Sequence, residues 1–171
     1  MANPYFDAVM QKDGQGYPVQ GLYPFMAKKT ITFAGATANA WGNDAGTLDG
    51  GVVFTVTGLV KCVVIGKCTT DCTGAGSTDE VGITGATAIF MPTTTMTALD
   101  TGGIWLNNAT PATYFIVGES EAAADNLPVY VLNGNDIILT TKIADTEAGI
   151  VELYCFWTPL SSDANVFDAG N

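Results

Sequence analysis

The residues that could carry chemistry in this chain of 171 residues are four cysteines and a scattered set of carboxylates. Cys62, Cys68 and Cys72 are separated by five and three residues, and Cys155 lies far downstream. Zinc sites typically pair cysteines about two to four residues apart with a second such pair or with histidines, and this chain has no histidine. The spacing does not favour a metal site. We expect Cys62 and Cys155, on apolar strand faces, to be small core residues.

After a metal site, the other chemical possibility for Cys68 and Cys72 is a disulfide bond between them. The polar, small-residue stretch that follows Cys68, residues 69–80, predicts an exposed loop, so that the two cysteines would flank a turn. We expect synthesis in a reducing cytoplasm, where both would start as thiols, and the pair could oxidise after release. The thiol and disulfide states both stay open at this stage.

Carboxylates occur in pairs at residues 79–80, 119 and 121, and 145 and 147, and glycoside hydrolysis needs two carboxylates at a set separation. None of these pairs is grouped in sequence with a tryptophan. Calcium needs several oxygen ligands, but turn formation explains the acidic and amide residues of the glycine-rich loops. Those loop residues are Asp44, Asp49, Asn133, Asn135 and Asp136. We expect no enzymatic activity, no metal and no cofactor.

The ionisable residues exclude several other functions. Six lysines, no arginine and no histidine stand against 17 acids, for a formal net charge of −11. The chain therefore lacks an imidazole base, a bidentate phosphate clamp and the usual cations of nucleic-acid binding. Five lysines fall in residues 1–68, whereas thirteen acids fall in residues 69–171. This asymmetry fits either a solvated acidic surface or a first part that faces a partner.

Residues 1–28 differ from residues 29–171, which we interpret as a β-sandwich or barrel domain. Prolines and glycines at this density oppose regular strand pairing, so we predict an extended arm. An arm that was merely disordered would be poor in aromatic residues. The rings would pack on the protein's own sheet or dock on a partner. The candidate docking residues are Tyr5, Phe6, Tyr17, Tyr23 and Phe25.

Residues 52–68 dominate the domain, with apolar residues at nearly every second position. This period predicts one long strand or two strands in line, with bends at Gly58 and Gly66. The Asn133-Gly134-Asn135 turn predicts a hairpin, and residues 120–125 predict one short helix. Other strands are expected at residues 30–34, 81–83, 87–91, 103–106, 113–117, 128–132, 136–143 and 149–159. The predicted fold is all-β, an antiparallel β-sandwich or barrel of jelly-roll-like form. We expect neither a targeting segment nor a membrane span.

Three segments carry a resemblance to a known class. They are Gly-Val-Val-Phe-Thr-Val-Thr-Gly at residues 51–58, Gly-Ile-Trp-Leu-Asn-Asn at 103–108 and Phe-Trp-Thr-Pro-Leu-Ser-Ser-Asp at 156–163. With the small-residue loops, this texture resembles small virion structural proteins of tailed bacteriophages, of the capsid decoration or cement type. The resemblance implies a non-enzymatic homo-oligomer, commonly a trimer, that bridges neighbouring subunits of the major capsid protein. It would lie on the virion exterior after synthesis in the host cytoplasm.

A second interpretation is a tail, fibre or surface β-sandwich that binds carbohydrate or a host protein. In that case Trp41 or Trp105 would be exposed as a platform on which a sugar ring stacks.

Overall fold

Two antiparallel β-sheets face each other in a computed structural model that describes residues 25–46, 48–107 and 127–170. The strands of this part of the chain are β1 (Phe25–Phe33), β2 (Gly51–Thr57), β3 (Leu59–Thr73), β4 (Thr78–Ile83), β5 (Ala86–Thr95), β6 (Ile104–Trp105), β7 (Tyr130–Asn133), β8 (Ile137–Lys142), β9 (Ala148–Pro159) and β10 (Asn165–Asp168). A single 3₁₀ turn, Met96–Ala98, follows β5. The predicted all-β sandwich is confirmed. The helix predicted at residues 120–125 and the strand at 113–117 lie outside the described residues.

The first sheet has the order β1-β9-β3, and β6 and β7 both pair with β3. β9 lies at its centre, because it pairs with β1 from Phe25↔Trp157 to Phe33↔Gly149 and with β3 on its other side. The second sheet has the order β10-β2-β8-β4-β5. Side chains from the inner faces of both sheets form one core, whose largest fully buried members include Trp105, Phe54, Phe90, Met91, Leu139 and Leu153.

Gly58 splits the long apolar stretch into strands of different sheets. Its φ of +61° is in the left-handed region, and a Cβ there would lie 2.6 Å from Asp163 Oδ1. Only glycine meets both conditions without strain, so the chain turns from β2 in the second sheet to β3 in the first. Gly66 makes no such corner, because it lies under Trp105, where a Cβ would be 3.0 Å from the tryptophan Cβ.

The hairpin predicted at Asn133-Gly134-Asn135 is wrong. β7 pairs with β3 in the first sheet, whereas β8 pairs with β2 and β4 in the second. The Gly134 N–H donates to the Gly58 carbonyl oxygen at 3.0 Å, so two connections between the sheets run side by side. A turn-forming sequence fixes the local reversal of the chain, but it does not say whether the next strand stays in the same sheet.

The exposed loop predicted at residues 69–80 is also wrong at both ends, since β4 begins at Thr78 and β3 continues to Thr73. Its last residues pair with β9, in the register Thr70↔Ile150 and Thr73↔Ala148, after a shift that follows Cys68↔Val151. Threonine is β-branched and fits a pleated surface, so the long partner β9 extends the strand through a polar sequence. Cys72 therefore lies on β3 and is buried.

β1 begins inside the segment interpreted as the arm, so residues 25–28 belong to the first sheet. Inward and outward side chains alternate along it. Ala27 and Lys29 point to the core side, and Met26 and Lys28 point outward. In the described part of the chain, no helix has the length and apolar character needed to cross a bilayer.

Candidate docking face and buried carboxylate

The outward face of the first sheet combines cationic and apolar side chains in an acidic protein. Strand pairing places outward residues in rows, because residues directly opposite each other on antiparallel strands share a face. Met26, Phe156 and Val63 form one row, Lys28, Tyr154 and Ile65 the next, and Thr30, Glu152 and Lys67 the third. Lys61 lies opposite Val131 of β7. We call these residues the cationic face: Met26, Lys28, Thr30, Lys61, Val63, Ile65, Lys67, Val131, Glu152, Tyr154 and Phe156.

The cationic face includes exposed apolar side chains. Met26 is 55% exposed and Val131 is 59% exposed, and both are among the large hydrophobic residues most open to solvent in the described part of the chain. The rings of Tyr154 and Phe156 lie nearly parallel, 17° apart in plane, with centroids separated by 6.5 Å. Exposed apolar groups collected on one face, rather than scattered, are typical of a surface that contacts another molecule.

A polar cluster orders one side of the cationic face. Lys28 Nζ donates to Glu152 Oε1 at 2.6 Å, the Tyr154 hydroxyl donates to Glu152 Oε2 at 2.5 Å, and the lysine lies 5.5 Å from the centre of the Tyr154 ring. The hydrogen bond from Lys28, followed by that from Tyr154, holds the pKa of Glu152 below its usual value. The same contacts with Glu152 raise the pKa of Lys28 and of Tyr154. Glu152 is therefore ionised and already occupied by donors.

Lys61 and Lys67 differ from the other lysines of residues 25–46, 48–107 and 127–170. Lys28 pairs with Glu152, Lys29 with Asp168, and Lys142 with Glu80. Neither Lys61 nor Lys67 forms an ion pair in this part of the chain, and both are exposed. Acids outnumber lysines almost threefold, so two unpaired lysines on a single strand face are a distinctive feature of the surface.

Among the predicted docking aromatics, the structure places Phe25. It is the first residue of β1, and its ring stacks on Trp157 with centroids 4.9 Å apart. It is partly buried against the core, beside the row of Met26 and Phe156. Tyr5, Phe6, Tyr17 and Tyr23 lie outside the described residues, and their docking role stays a prediction.

All four cysteines are free and buried. Cys68 and Cys72 do not flank an exposed turn; both lie on β3, and the Cys68 thiol donates to the carbonyl oxygens of Thr70 at 3.1 Å and Leu99 at 3.2 Å. Burial is the main cause of the raised pKa of each thiol. The predicted disulfide of this pair stays a prediction, although the two thiols are neighbours. Cys62 and Cys155 are core residues on adjacent strands, and contact with Cys62 raises the pKa of Cys155.

The predicted tryptophan platform is wrong. Trp105 is fully buried, and its indole Nε1 donates to Thr94 Oγ1 at 2.9 Å. Trp41 is 7% exposed and forms an isolated bridge with Phe33 at the end of β1. Their indoles pack in the core because glycines and short strands bring the sheets together over them, which residue type alone does not reveal. The aromatic residues that do reach the surface of the first sheet are Tyr154 and Phe156.

Asp79 is the one strongly shifted carboxyl of the described residues, and the sequence pattern did not single it out from its neighbour Glu80. Its side chain is fully buried, with Oδ1 accepting from the Thr141 hydroxyl at 2.5 Å and Oδ2 from the Thr146 hydroxyl at 2.7 Å. Burial raises the pKa of Asp79 to about 6, against the opposing effect of these hydrogen bonds. The carboxyl ties β4 to β8 and to the connection that leads into β9.

Thr146 extends this network to another loop. Its backbone N–H donates to the Gly42 carbonyl at 2.7 Å, and its carbonyl accepts from Gly35 at 2.9 Å. Asp49 Oδ1 accepts from the Thr141 N–H at 3.0 Å, and Asp44 N–H donates to Asp145 Oδ1 at 2.9 Å. Asp79 thus supports loop structure.

Two of the loop residues weighed as calcium ligands, Asp49 and Asp136, have structural roles. Asp136 Oδ1 accepts from the Val56 N–H at 2.9 Å, and Asp49 caps the Thr141 N–H. Across residues 25–46, 48–107 and 127–170, no three acidic or cysteine side chains come together in a group able to hold a metal ion. The acids at residues 119 and 121 lie outside these ranges.

No protein-family model, curated protein or solved structure matches this chain. The class of protein therefore follows from its own structure. It is an antiparallel β-sandwich with one solvent-facing sheet surface that is apolar and cationic.

Proposed function

We propose that this protein is a non-enzymatic virion structural protein that decorates or cements a phage capsid by bridging neighbouring subunits of the major capsid protein. The observation that supports it best is the cationic face, where Met26, Val131 and the Tyr154–Phe156 pair offer apolar contact area. Surfaces of this composition are typical of protein-binding sites, since the apolar area provides affinity and the charges orient the partner.

Bridging needs two contact regions on one molecule. The cationic face is one of these regions. The predicted arm is the other, and its aromatic anchors precede β1: Tyr5, Phe6, Tyr17 and Tyr23. Aromatic side chains bury much area for little conformational entropy, so they are efficient anchors. A homo-oligomer, with a trimer favoured, would multiply both contacts and raise the affinity for a repetitive shell.

The test uses empty shells assembled from the major capsid protein encoded in the same genome. Full-length protein should co-sediment with these shells and raise their melting temperature. A chain that starts at Phe25 retains β1 and the whole described core, so it should remain folded by circular dichroism while it loses most shell binding. Absence of co-sedimentation by the full-length protein would contradict the proposal.

The binding-module alternative retains one specific observation. Tyr154 and Phe156 present nearly parallel rings on an open sheet face, an arrangement on which a sugar ring can stack. Screening the protein against a glycan array tests this alternative. A hit that Phe156→Ala abolishes, together with no shell binding, would favour the carbohydrate-binding module over the capsid protein.

A further inference from the structure

We propose that the cationic face binds an acidic protein surface on the capsid shell, in which carboxylates flank an apolar ridge. This inference rests on the proposed function and specifies the chemistry of the contact. The occupant that we propose is a shell protein, and a second copy of this chain is an outcome that the test must exclude. The arrangement of charge and apolar area along β3 points to a partner that is both acidic and apolar.

The outward residues of β3 form a stripe of two cations around two aliphatic residues. Lys61, Val63, Ile65 and Lys67 share the outward side of the strand, because every second residue of a strand points to the same face. At about 3.3 Å per residue, the two lysines are roughly 20 Å apart along the strand. A complementary surface would place two acidic groups at about that spacing, with an apolar contact between them.

The centre of the stripe is widened by the neighbouring strand. Phe156 is directly opposite Val63, and Tyr154 is opposite Ile65, so the apolar area continues across β9. The apolar area ends at the next row, where the charged residues Lys67 and Glu152 lie opposite each other. An apolar centre with a charged rim is the usual composition of a protein-binding surface.

The charge of the face is positive even though it includes an acid. Glu152 is held by Lys28 and by the Tyr154 hydroxyl, so its acceptors are already used. Lys61 and Lys67 have no acidic partner in the described part of the chain, although Lys67 lies close enough to contribute to the lowered pKa of Glu152. We expect these two ammonium groups to pair with carboxylates of the partner.

A protein partner fits this surface better than a nucleic acid does. A nucleic acid carries uniform charge along its backbone, and binding it requires several cations with little apolar area. The formal net charge of −11 would also repel a polyanion at long range. A protein surface brings only local carboxylates, together with the apolar ridge that Val63, Ile65 and Phe156 require.

The experiment compares two variants of equal net charge in the full-length protein. Lys61→Gln with Lys67→Gln neutralises the stripe. Thr84→Glu with Thr97→Glu changes the net charge by the same amount at exposed positions outside the strands of the first sheet and outside the stripe. Shell binding is measured by co-sedimentation between about 50 and 500 mM salt, a range over which screening of exposed charges becomes nearly complete.

The stripe variant should bind at least about tenfold more weakly than wild type at low salt. Its binding should also depend less on salt, whereas the Thr84/Thr97 variant should behave like wild type. Equal binding and equal salt dependence of all three proteins would overturn the inference and leave the proposed function intact. No binding by any of them would overturn both.

Native mass spectrometry of the same proteins tests the remaining possible occupant of the cationic face, which is a second copy of this chain. The inference expects the oligomeric state of the stripe variant to equal that of wild type. If the stripe variant alone dissociates, the face belongs to a contact between copies, and the acidic shell partner is refuted.

Discussion

Lys29 Nζ lies 2.6 Å from Asp168 Oδ1, and this ion pair joins the edge strands of the two sheets. β1 is at the edge of the first sheet and β10 at the edge of the second, so the pair bridges the open side of the sandwich. Lys29 points to the core side and its side chain is 7% exposed, whereas that of Asp168 is 47% exposed. An inward charge on an edge strand also discourages pairing with a strand of another chain.

Removing one partner of this pair should cost more than removing both. Asp168→Asn leaves the buried ammonium of Lys29 without a counter-charge, and we expect a loss of about 1–2 kcal/mol in the free energy of unfolding, because Asp168 is half exposed. The double variant Lys29→Met, Asp168→Asn should lie within about 1 kcal/mol of wild type. Urea unfolding measures both. A double variant as unstable as the single one would show that the charge is not the cause.

The same pair should weaken in acid. Burial acts to raise the pKa of Asp168, but hydrogen bonds from Lys29 and from the Gly170 N–H outweigh it and hold the pKa below its usual value. A carboxyl with a lowered pKa in the folded state stabilises the protein above its unfolded pKa, and this contribution is lost as the pH falls through the folded one. The destabilising effect of Asp168→Asn should therefore shrink as the pH falls below 3.8, the ordinary pKa of an aspartate carboxyl.

Asp79 should produce the opposite pH dependence. Its pKa is about 6 in the folded protein and 3.8 as a reference for the unfolded chain, so the folded state holds an extra proton between these values. The free energy of unfolding should then decrease as the pH rises from about 4 to 6, by at most about 3 kcal/mol. Unfolding in urea at half-unit pH intervals measures this slope.

Asp79→Asn is the matched variant for that measurement. It retains a carbonyl oxygen that can accept from Thr141 or Thr146, but it cannot titrate. Its stability should change less than that of wild type across the same pH range, while the repulsion from the other acids is common to both proteins. Parallel pH profiles for the two proteins would assign the slope to the general surface charge instead.

A comparison of two glycines with positive φ distinguishes the cost of backbone strain from the cost of a steric clash with a new side chain. Gly58 and Gly134 have φ values of +61° and +67°, but a Cβ meets Asp163 Oδ1 at 2.6 Å in the first and nothing within 4 Å in the second. Gly134→Ala should cost about 1 kcal/mol, the usual penalty of a left-handed non-glycine residue. Gly58→Ala should cost at least about 2 kcal/mol, because crowding at the corner adds to it. Equal losses of stability in the two variants, measured by thermal unfolding, would contradict the expected steric clash at Gly58.

The thiols should not react with an alkylating reagent until the protein unfolds. All four cysteines are buried, and burial raises the pKa of Cys68 and Cys72, which suppresses the reactive thiolate. Alkylation under native, reducing conditions should label none of them within minutes, and alkylation in denaturant should label four. The predicted Cys68–Cys72 disulfide would appear as two fewer labels in denaturant without reductant, and Cys68→Ser would remove that difference.

The sequence predicted the individual strands better than their partners. Residues 149–159 alternate clearly and correspond to β9, Ala148–Pro159, because half-buried strands impose a period of two. The same period runs through Gly58 without interruption, since a corner between sheets keeps the core on the inner side of both strands. The change of sheet at that corner depends on Asp163 and Ser161, which are distant in sequence.

The candidate site was only partly accessible to prediction. Alternation along residues 52–68 placed Lys61 and Lys67 on the side opposite the core, as the structure shows. Their neighbours Tyr154 and Phe156 come from β9, and that register is a tertiary property that no local pattern encodes. Asp79 illustrates the same limit, because its burial results from Thr141 and Thr146 closing over it.

The pairing of β1 with β9 also constrains how this chain is made. The first described strand, Phe25–Phe33, pairs with Ala148–Pro159, and the hydrogen-bonded residues Lys28 and Glu152 are 124 residues apart in sequence. During synthesis β1 therefore emerges long before its partner, so the first sheet can close only after β9 has been made. Contacts of such long sequence separation fold slowly. Until β9 is present, nascent chains would therefore expose the unpaired edge of β3 to chaperones.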